Sequence, residues 1–142
     1  MPVVQKSVGF IANRLPKVIS PTQHAWIDYA VATAFFAAGS ALWTRHRRAA
    51  LTSFLCGAAT AASSVITEYP GGLFRLINFE THGQLDAGLA GMTALIPRLM
   101  GFDGDRENWF FELQGAVETA ANALTDFRRI PEPMVTELPK AA

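Results

Sequence analysis

Two short motifs carry the residue types that could do chemistry. His24 and Asp28 are four residues apart, and so are His82 and Asp86. On a helix that spacing puts an imidazole and a carboxylate one turn apart on the same face. Glu68 and Asp126 end the apolar segments that follow each motif, and Glu118 lies inside the second of those segments. Imidazoles and carboxylates in one apolar layer can do three things. They can bond to each other and clamp helices together. They can ligate zinc or iron. Two histidines can also hold a haem iron from both sides. The clamp, with no cofactor, is the first expectation. A metal site drawn from His24, Asp28, Glu68, His82, Asp86 and Asp126 is the alternative. Its His-x3-Asp spacing differs from the Glu-x-x-His of di-iron bundles. Haem is disfavoured, because both histidines fall near helix starts. Glu118 reads as an intramembrane polar residue, and a proton or small-ion path through it is a further, less favoured option.

The two motifs belong to a longer repeat. At an offset of 58, His24 pairs with His82, Asp28 with Asp86, Arg48 with Arg106 and Leu55 with Leu113. Gly57-Ala58 pairs with Gly115-Ala116, and Thr67-Glu68-Tyr69 with Thr125-Asp126-Phe127. Between Thr22 and Tyr69 nine of 48 positions are identical without a gap, enough to expect two copies of one structural unit.

Helical elements must position these residues. Ser20-Pro21-Thr22-Gln23 has the form of a capping box with proline at the first helical position, and the helix it opens should run to about Trp43. A basic turn, 44–48, precedes a second helix from Ala49 to Glu68, stopped by Pro70-Gly71-Gly72. Thr81-His82-Gly83-Gln84 suggests a second capping box and a helix to about Met100. The fourth helix should span Glu107 to Phe127, with Gln114, Glu118, Asn122 and Asp126 on one polar face. Short turns make two antiparallel hairpins. His46 reads as a solvated turn residue.

Composition gives these helices a solvent. Half of the 142 residues are hydrophobic and 17% are charged, against roughly 25% in an average soluble domain. Ala49 to Thr67 has no charge, and Ala25 to Trp43 has only Asp28. Each run is close to the roughly 20 apolar residues that cross a bilayer. Trp26, Trp43 and Trp109 fall near helix ends, as interfacial aromatics do. Twelve basic residues balance twelve acidic ones, so the basic excess of a nucleic-acid binder is missing. The single Cys56 excludes an intrachain disulfide. Residues 1–19 read as an amphipathic helix on a membrane surface or as a disordered start, without a leader-cleavage pattern. Residues 20–69 and 78–127 are the two repeats of a single membrane domain, and 128–142 read as a disordered tail.

The run His24-x-x-x-Asp28-Tyr29, the end Thr67-Glu68-Tyr69, and His82-x-x-x-Asp86 with Ile96-Pro97-Arg98-Leu99-Met100-Gly101-Phe102 resemble the bacterial SPW-repeat membrane proteins over about Pro21 to Phe127. Ile96-Pro97-Arg98 stands where Ser-Pro-Trp is expected, and Gly39 is at the matching place in the first copy. The resemblance implies a four-helix protein of the bacterial inner membrane and no particular activity.

The expected fold is therefore an all-α, four-helix transmembrane bundle of two tandem hairpins in parallel repeat. Without a nucleophile–base pair, phosphate loop or strong metal motif, the expected function is non-catalytic. It is an accessory or scaffold subunit whose partners are the bilayer and other membrane proteins or further copies of itself. The alternative is a metal- or haem-dependent redox or transport protein. With four spans, seven basic residues lie on the side of the termini and five on the other, which favours cytoplasmic termini. An impermeant thiol reagent added to intact cells should then label an Asp105→Cys variant and leave Ser7→Cys untouched. The reverse pattern would invert the orientation.

Overall fold

The computed structural model describes residues 15–129. Among them the fold is all-helical, with helices α1 (Pro21–Leu42), α2 (Arg47–Ile66), α3 (Phe79–Leu99) and α4 (Asn108–Leu124). The expectations for 1–14 and 130–142 lie outside the described residues. Residues 15–19 are not helical. Ile19 instead pairs with Thr125 in an isolated bridge, its N–H donating to the Leu124 carbonyl at 3.1 Å.

Capping sets the helix starts. Ser20 Oγ accepts from the Gln23 N–H, and Gln23 Oε1 accepts from the Ser20 N–H, so the capping box forms as its sequence suggests. The second cap is not Thr81. Asn78 takes that role, its Oδ1 accepting from the Thr81 N–H at 2.7 Å, and α3 begins three residues earlier than the Thr81 box implies. Asn78 stands 58 positions after Ser20, and an Asn carbonyl caps as well as a Ser hydroxyl. His46 caps α2. Its Nδ1 accepts from the Ala49 N–H, which leaves Nε2 protonated to donate to Asp105 at 2.8 Å. This histidine therefore ties the two far-end turns together instead of standing free in solvent.

The helix ends also differ from expectation. α2 stops at Ile66 and α4 at Leu124, and the next residue in each case, Thr67 or Thr125, is extended. α3 carries Pro97 in its last turn and ends at Leu99, with Met100 as its C-cap and Gly101 following in the left-handed region at φ 69°. That conformation favours glycine and reverses the chain.

α1 lies against α2 and α3 against α4; α2 meets α3, and α4 returns to α1. Each hairpin closes on a glycine. A Cβ on Gly57 would stand 3.2 Å from the Ala32 carbonyl oxygen and 3.0 Å from the Phe35 Cβ. A Cβ on Gly115 would stand 3.2 Å from the Ala90 carbonyl oxygen and 3.2 Å from the Ala94 Cβ. Phe35, Phe111, Phe102, Val31 and Ile96 fill the bundle toward the 43–46 and 100–107 turns. Toward the other end the interior is polar: His24, Asp28, Thr60, Ser63, Ser64, Thr67, His82 and Thr125 are all buried.

The outside is apolar. Trp26, Leu55, Leu95, Leu99 and Trp109 are each more than half exposed. α1 and α2 are long and apolar enough to cross a bilayer. α4 has 17 residues, about 26 Å at ~1.5 Å per residue, at the short end for a span.

The glycine contacts yield a stability test. Gly57→Val and Gly115→Val should each wedge a hairpin apart and cost about 1–3 kcal/mol. Gly88→Ala and Gly91→Ala meet open space and should gain roughly 0.5–1 kcal/mol from helix propensity. Thermal unfolding in detergent reads both. Equal effects at all four positions would show that hairpin contact does not depend on these glycines.

Candidate functional site

Both histidines sit near a helix start and are almost wholly buried, His24 on α1 and His82 on α3. Their orientation comes from two threonines. The Thr67 hydroxyl donates to the Ser63 carbonyl at 2.6 Å, and the Thr125 hydroxyl to the Ala121 carbonyl at 2.7 Å. Each hydroxyl has one proton and has committed it to the preceding turn. Toward a histidine it can only accept. Thr67 Oγ1 lies 2.9 Å from His82 Nδ1, and Thr125 Oγ1 lies 2.8 Å from His24 Nδ1. Both imidazoles are therefore protonated at Nδ1, and His82 Nδ1 has a second oxygen within reach, Ser63 Oγ at 3.0 Å, which Ala121 at the matching place does not offer His24.

That leaves the two Nε2 atoms facing one another's carboxylates. His24 Nε2 is 2.8 Å from Asp86 Oδ2 and 3.5 Å from Asp28 Oδ1. His82 Nε2 is 3.1 Å from Asp28 Oδ2 and 3.1 Å from Asp86 Oδ2. The donor atoms of these four residues all lie within 4.8 Å of one another. The shortest His–Asp contact joins α1 to α3, and each threonine–histidine bond joins the first helix of one hairpin to the end of the other. In these contacts His24 and His82, Asp28 and Asp86, and Thr67 and Thr125, each 58 apart, play matching parts.

Two states balance these charges. Two imidazolium ions can donate to the two carboxylates. Alternatively, two neutral imidazoles can direct their Nε2 lone pairs, with the carboxylates, at one divalent ion. Zinc bound at about 2.0–2.1 Å by imidazole and carboxylate implies tetrahedral edges of about 3.3–3.4 Å. The His–Asp contacts run from 2.8 to 3.5 Å but use both Asp28 oxygens, and one donor atom from each of the four residues spreads over as much as 4.8 Å, so a bound ion would draw the four donors closer together. Two neutral imidazoles with no cation would turn lone pairs toward acceptors at hydrogen-bond distance, which is repulsive.

A haem does not fit between these histidines. Their ring centroids are 5.3 Å apart, edge to face, and both Nε2 atoms face carboxylates. A macrocycle between them has no space.

Glu68 and Asp126 do not join the four. Glu68 is exposed, and the half-buried Asp126 accepts from the Arg128 N–H through Oδ1. The cause is local. Beyond Ile66 and Leu124 the chain is extended, so successive side chains alternate in direction. Thr67 and Tyr69 turn inward and Glu68 outward; Thr125 is buried and Asp126 lies nearer the surface. Sequence reasoning placed the acidic residues in the layer and overlooked the threonines, although Thr67 and Thr125 are themselves an identity of the repeat.

One difference between the halves is chemical. Tyr69 donates from its hydroxyl to Asp28 Oδ2 at 2.9 Å. Burial, and then the Asp28 charge, push the phenol well above its ordinary pKa, so it stays a donor. Phe127, at the matching place, has no hydroxyl and packs edge-on against His24 at 5.2 Å between centroids. Asp86 consequently lacks the third donor that Asp28 has.

Beneath the layer is a cavity of about 10 Å³, lined by His24, Asp28, Asp86, Thr60, Glu118 and apolar residues from α1, α3 and α4. Both Glu118 carboxylate oxygens are buried and make no well-formed hydrogen bond among the described residues.

Comparison with protein-family models, curated proteins and solved structures finds no match to this chain.

Thr125→Val should leave the His24 Nδ1–H without an acceptor and cost about 1–3 kcal/mol, whereas Thr67→Val should cost less, because Ser63 Oγ stays 3.0 Å from His82 Nδ1. Glu68→Gln and Asp126→Asn should change stability by no more than about 0.5 kcal/mol. Unfolding midpoints in detergent check both pairs, and a large loss from Glu68→Gln would return that residue to the site.

Proposed function

We propose that this protein is a metal-centred membrane bundle. Its two hairpins are copies in parallel repeat, all four helices cross the bilayer, and one zinc or ferrous ion is held by His24, Asp28, His82 and Asp86. The observation that carries the reading is the convergence of two Nε2 atoms whose Nδ1 partners are already fixed. Threonines that only accept at Nδ1 are the outer-shell arrangement that orients metal-binding imidazoles. Two neutral imidazoles, two carboxylates and a divalent ion carry no net charge, which suits a low-dielectric interior. The mixed nitrogen and oxygen donors favour a first-row transition metal over calcium or magnesium. The ion would take two donors from each hairpin and so join the two repeats.

The membrane reading draws on the apolar length of α1 and α2 and on the inversion of polarity, with hydroxyls and ionisable groups inside and large apolar side chains outside. A bacterial inner membrane with cytoplasmic termini follows from the resemblance to SPW-repeat proteins and from the basic-residue count. In that orientation the metal layer lies toward the cytoplasmic face.

A second reading has its own observation. The 2.8 Å contact between His24 and Asp86 is shorter than a tetrahedral edge, as in a direct charge-assisted hydrogen bond. The layer is then a clamp of two imidazolium–carboxylate pairs, and the chain is a non-catalytic accessory subunit that packs against other membrane proteins.

Metal analysis of the protein purified in detergent separates the two. The metal reading expects one ion per chain, lost in His24→Gln and in His82→Gln alike, with little further loss in the double variant. The clamp expects no stoichiometric metal. It also expects mild effects from Gln and losses of about 1–3 kcal/mol from each Leu variant, nearly additive in the double.

A further inference from the structure

The repeat does not account for Glu118. Its counterpart 58 positions earlier is Thr60, and both line the small cavity under the metal layer. A clamp or a closed four-donor site with twofold pseudo-symmetry needs no carboxylate there. Yet both Glu118 oxygens are buried and make no well-formed hydrogen bond among the described residues, with only the Thr93 hydroxyl close enough to help the carboxylate. A buried carboxylate with this little protein support is costly and has acceptor capacity left for a ligand.

The cavity tells what that ligand is. Its volume of about 10 Å³ is at the lower limit for one water molecule, roughly 10–15 Å³, and excludes anything larger. Water also needs two to four polar partners. Here the walls offer the carboxylates of Glu118, Asp28 and Asp86 and the hydroxyl of Thr60. The His24 ring and the apolar Ile27, Val31, Leu89 and Ala121 complete the lining. Farther along the bundle Phe35 and Phe111, both fully buried, fill the interior. The cavity is thus a pocket of the layer and does not continue as an open path through the bundle.

We propose that the centre binds a water molecule in this cavity, held between the metal ion and Glu118. The proposal rests on the metal reading above and adds an open coordination position to it. That position is what separates a reactive centre from a purely structural one. The water oxygen faces the ion, and its two hydrogens have carboxylates to donate to. Glu118 is a positioning residue: it touches the water and not the ion. The single carboxylate marks one side of an otherwise twofold arrangement, as a single bound water requires.

Cobalt(II) and manganese(II) loading of the purified full chain tests this. With four protein donors and one water, the cobalt protein should show the weak visible bands of five-coordination. The manganese protein in D2O should show the deuterium spin-echo modulation of directly bound water. Glu118→Leu fills the cavity and should convert the cobalt spectrum to intense tetrahedral bands and abolish the deuterium signal. Glu118→Gln can still hydrogen-bond to the water and should retain both wild-type signals. Intense tetrahedral bands and no bound D2O in the wild type would overturn the proposal and leave a closed metal site standing. Failure of the wild type to bind either ion would remove the metal reading itself, and this inference with it. Should Glu118→Leu not fold, the wild-type deuterium signal and Glu118→Gln decide.

Discussion

Two acidic and two imidazole side chains share one buried layer, and a low-dielectric interior accepts them only if their charges cancel and their hydrogen bonds close. The rest of the bundle is arranged around that constraint. His24 and His82 need acceptors at Nδ1, and the residues that supply them are threonines whose own protons are spent on the preceding helical turn. Those threonines can face inward only because α2 and α4 stop one residue earlier and the chain becomes extended. Ile77 and Ile19 hold the two extended segments by backbone bonds to the Ile66 and Leu124 carbonyls. The layer therefore depends on where two helices end.

The bonds in the layer cross between hairpins. His24 of the first meets Thr125 and Asp86 of the second, and His82 of the second meets Thr67 and Asp28 of the first. Neither hairpin can satisfy its histidine alone. Close packing within each hairpin comes from Gly57 or Gly115 and is local, whereas the hairpins associate through the polar layer at one end and through the Phe35, Phe102 and Phe111 cluster at the other. Buried hydrogen bonds and ionic contacts of this kind give packed helices a unique arrangement.

Departures from the twofold pattern fall where the chemistry differs. Tyr69 is a donor to Asp28, and Phe127 at the matching place is only a packing surface. Glu118 stands where the other half has Thr60. Both differences affect the same few ångströms around Asp28, Asp86 and the cavity. Two hairpins that share a sequence pattern at an offset of 58 thus form one site with distinct sides.

The sequence by itself determined the helical class, the order of four helices, the first capping box and the spacing that puts His24 with Asp28 and His82 with Asp86 on single helix faces. Those features are local: they follow from capping chemistry, apolar runs and the 3.6-residue period, all read over a few turns. The apolar length of α1 and α2 was legible for the same reason. The membership of the layer was not. Glu68 and Asp126 are acidic and adjacent to Thr67 and Thr125, and nothing in the one-dimensional pattern says which of two neighbours turns inward. That depends on a helix ending one residue sooner, and helix ends are set by what the freed backbone finds to bond with in three dimensions. Likewise the Asn78 cap, the His46–Asp105 tie and the burial of Glu118 over a cavity depend on which helices meet. The sequence could name the ionisable residues; only the tertiary structure decided which of them face each other, because facing is a property of packed helices and not of spacing along one chain.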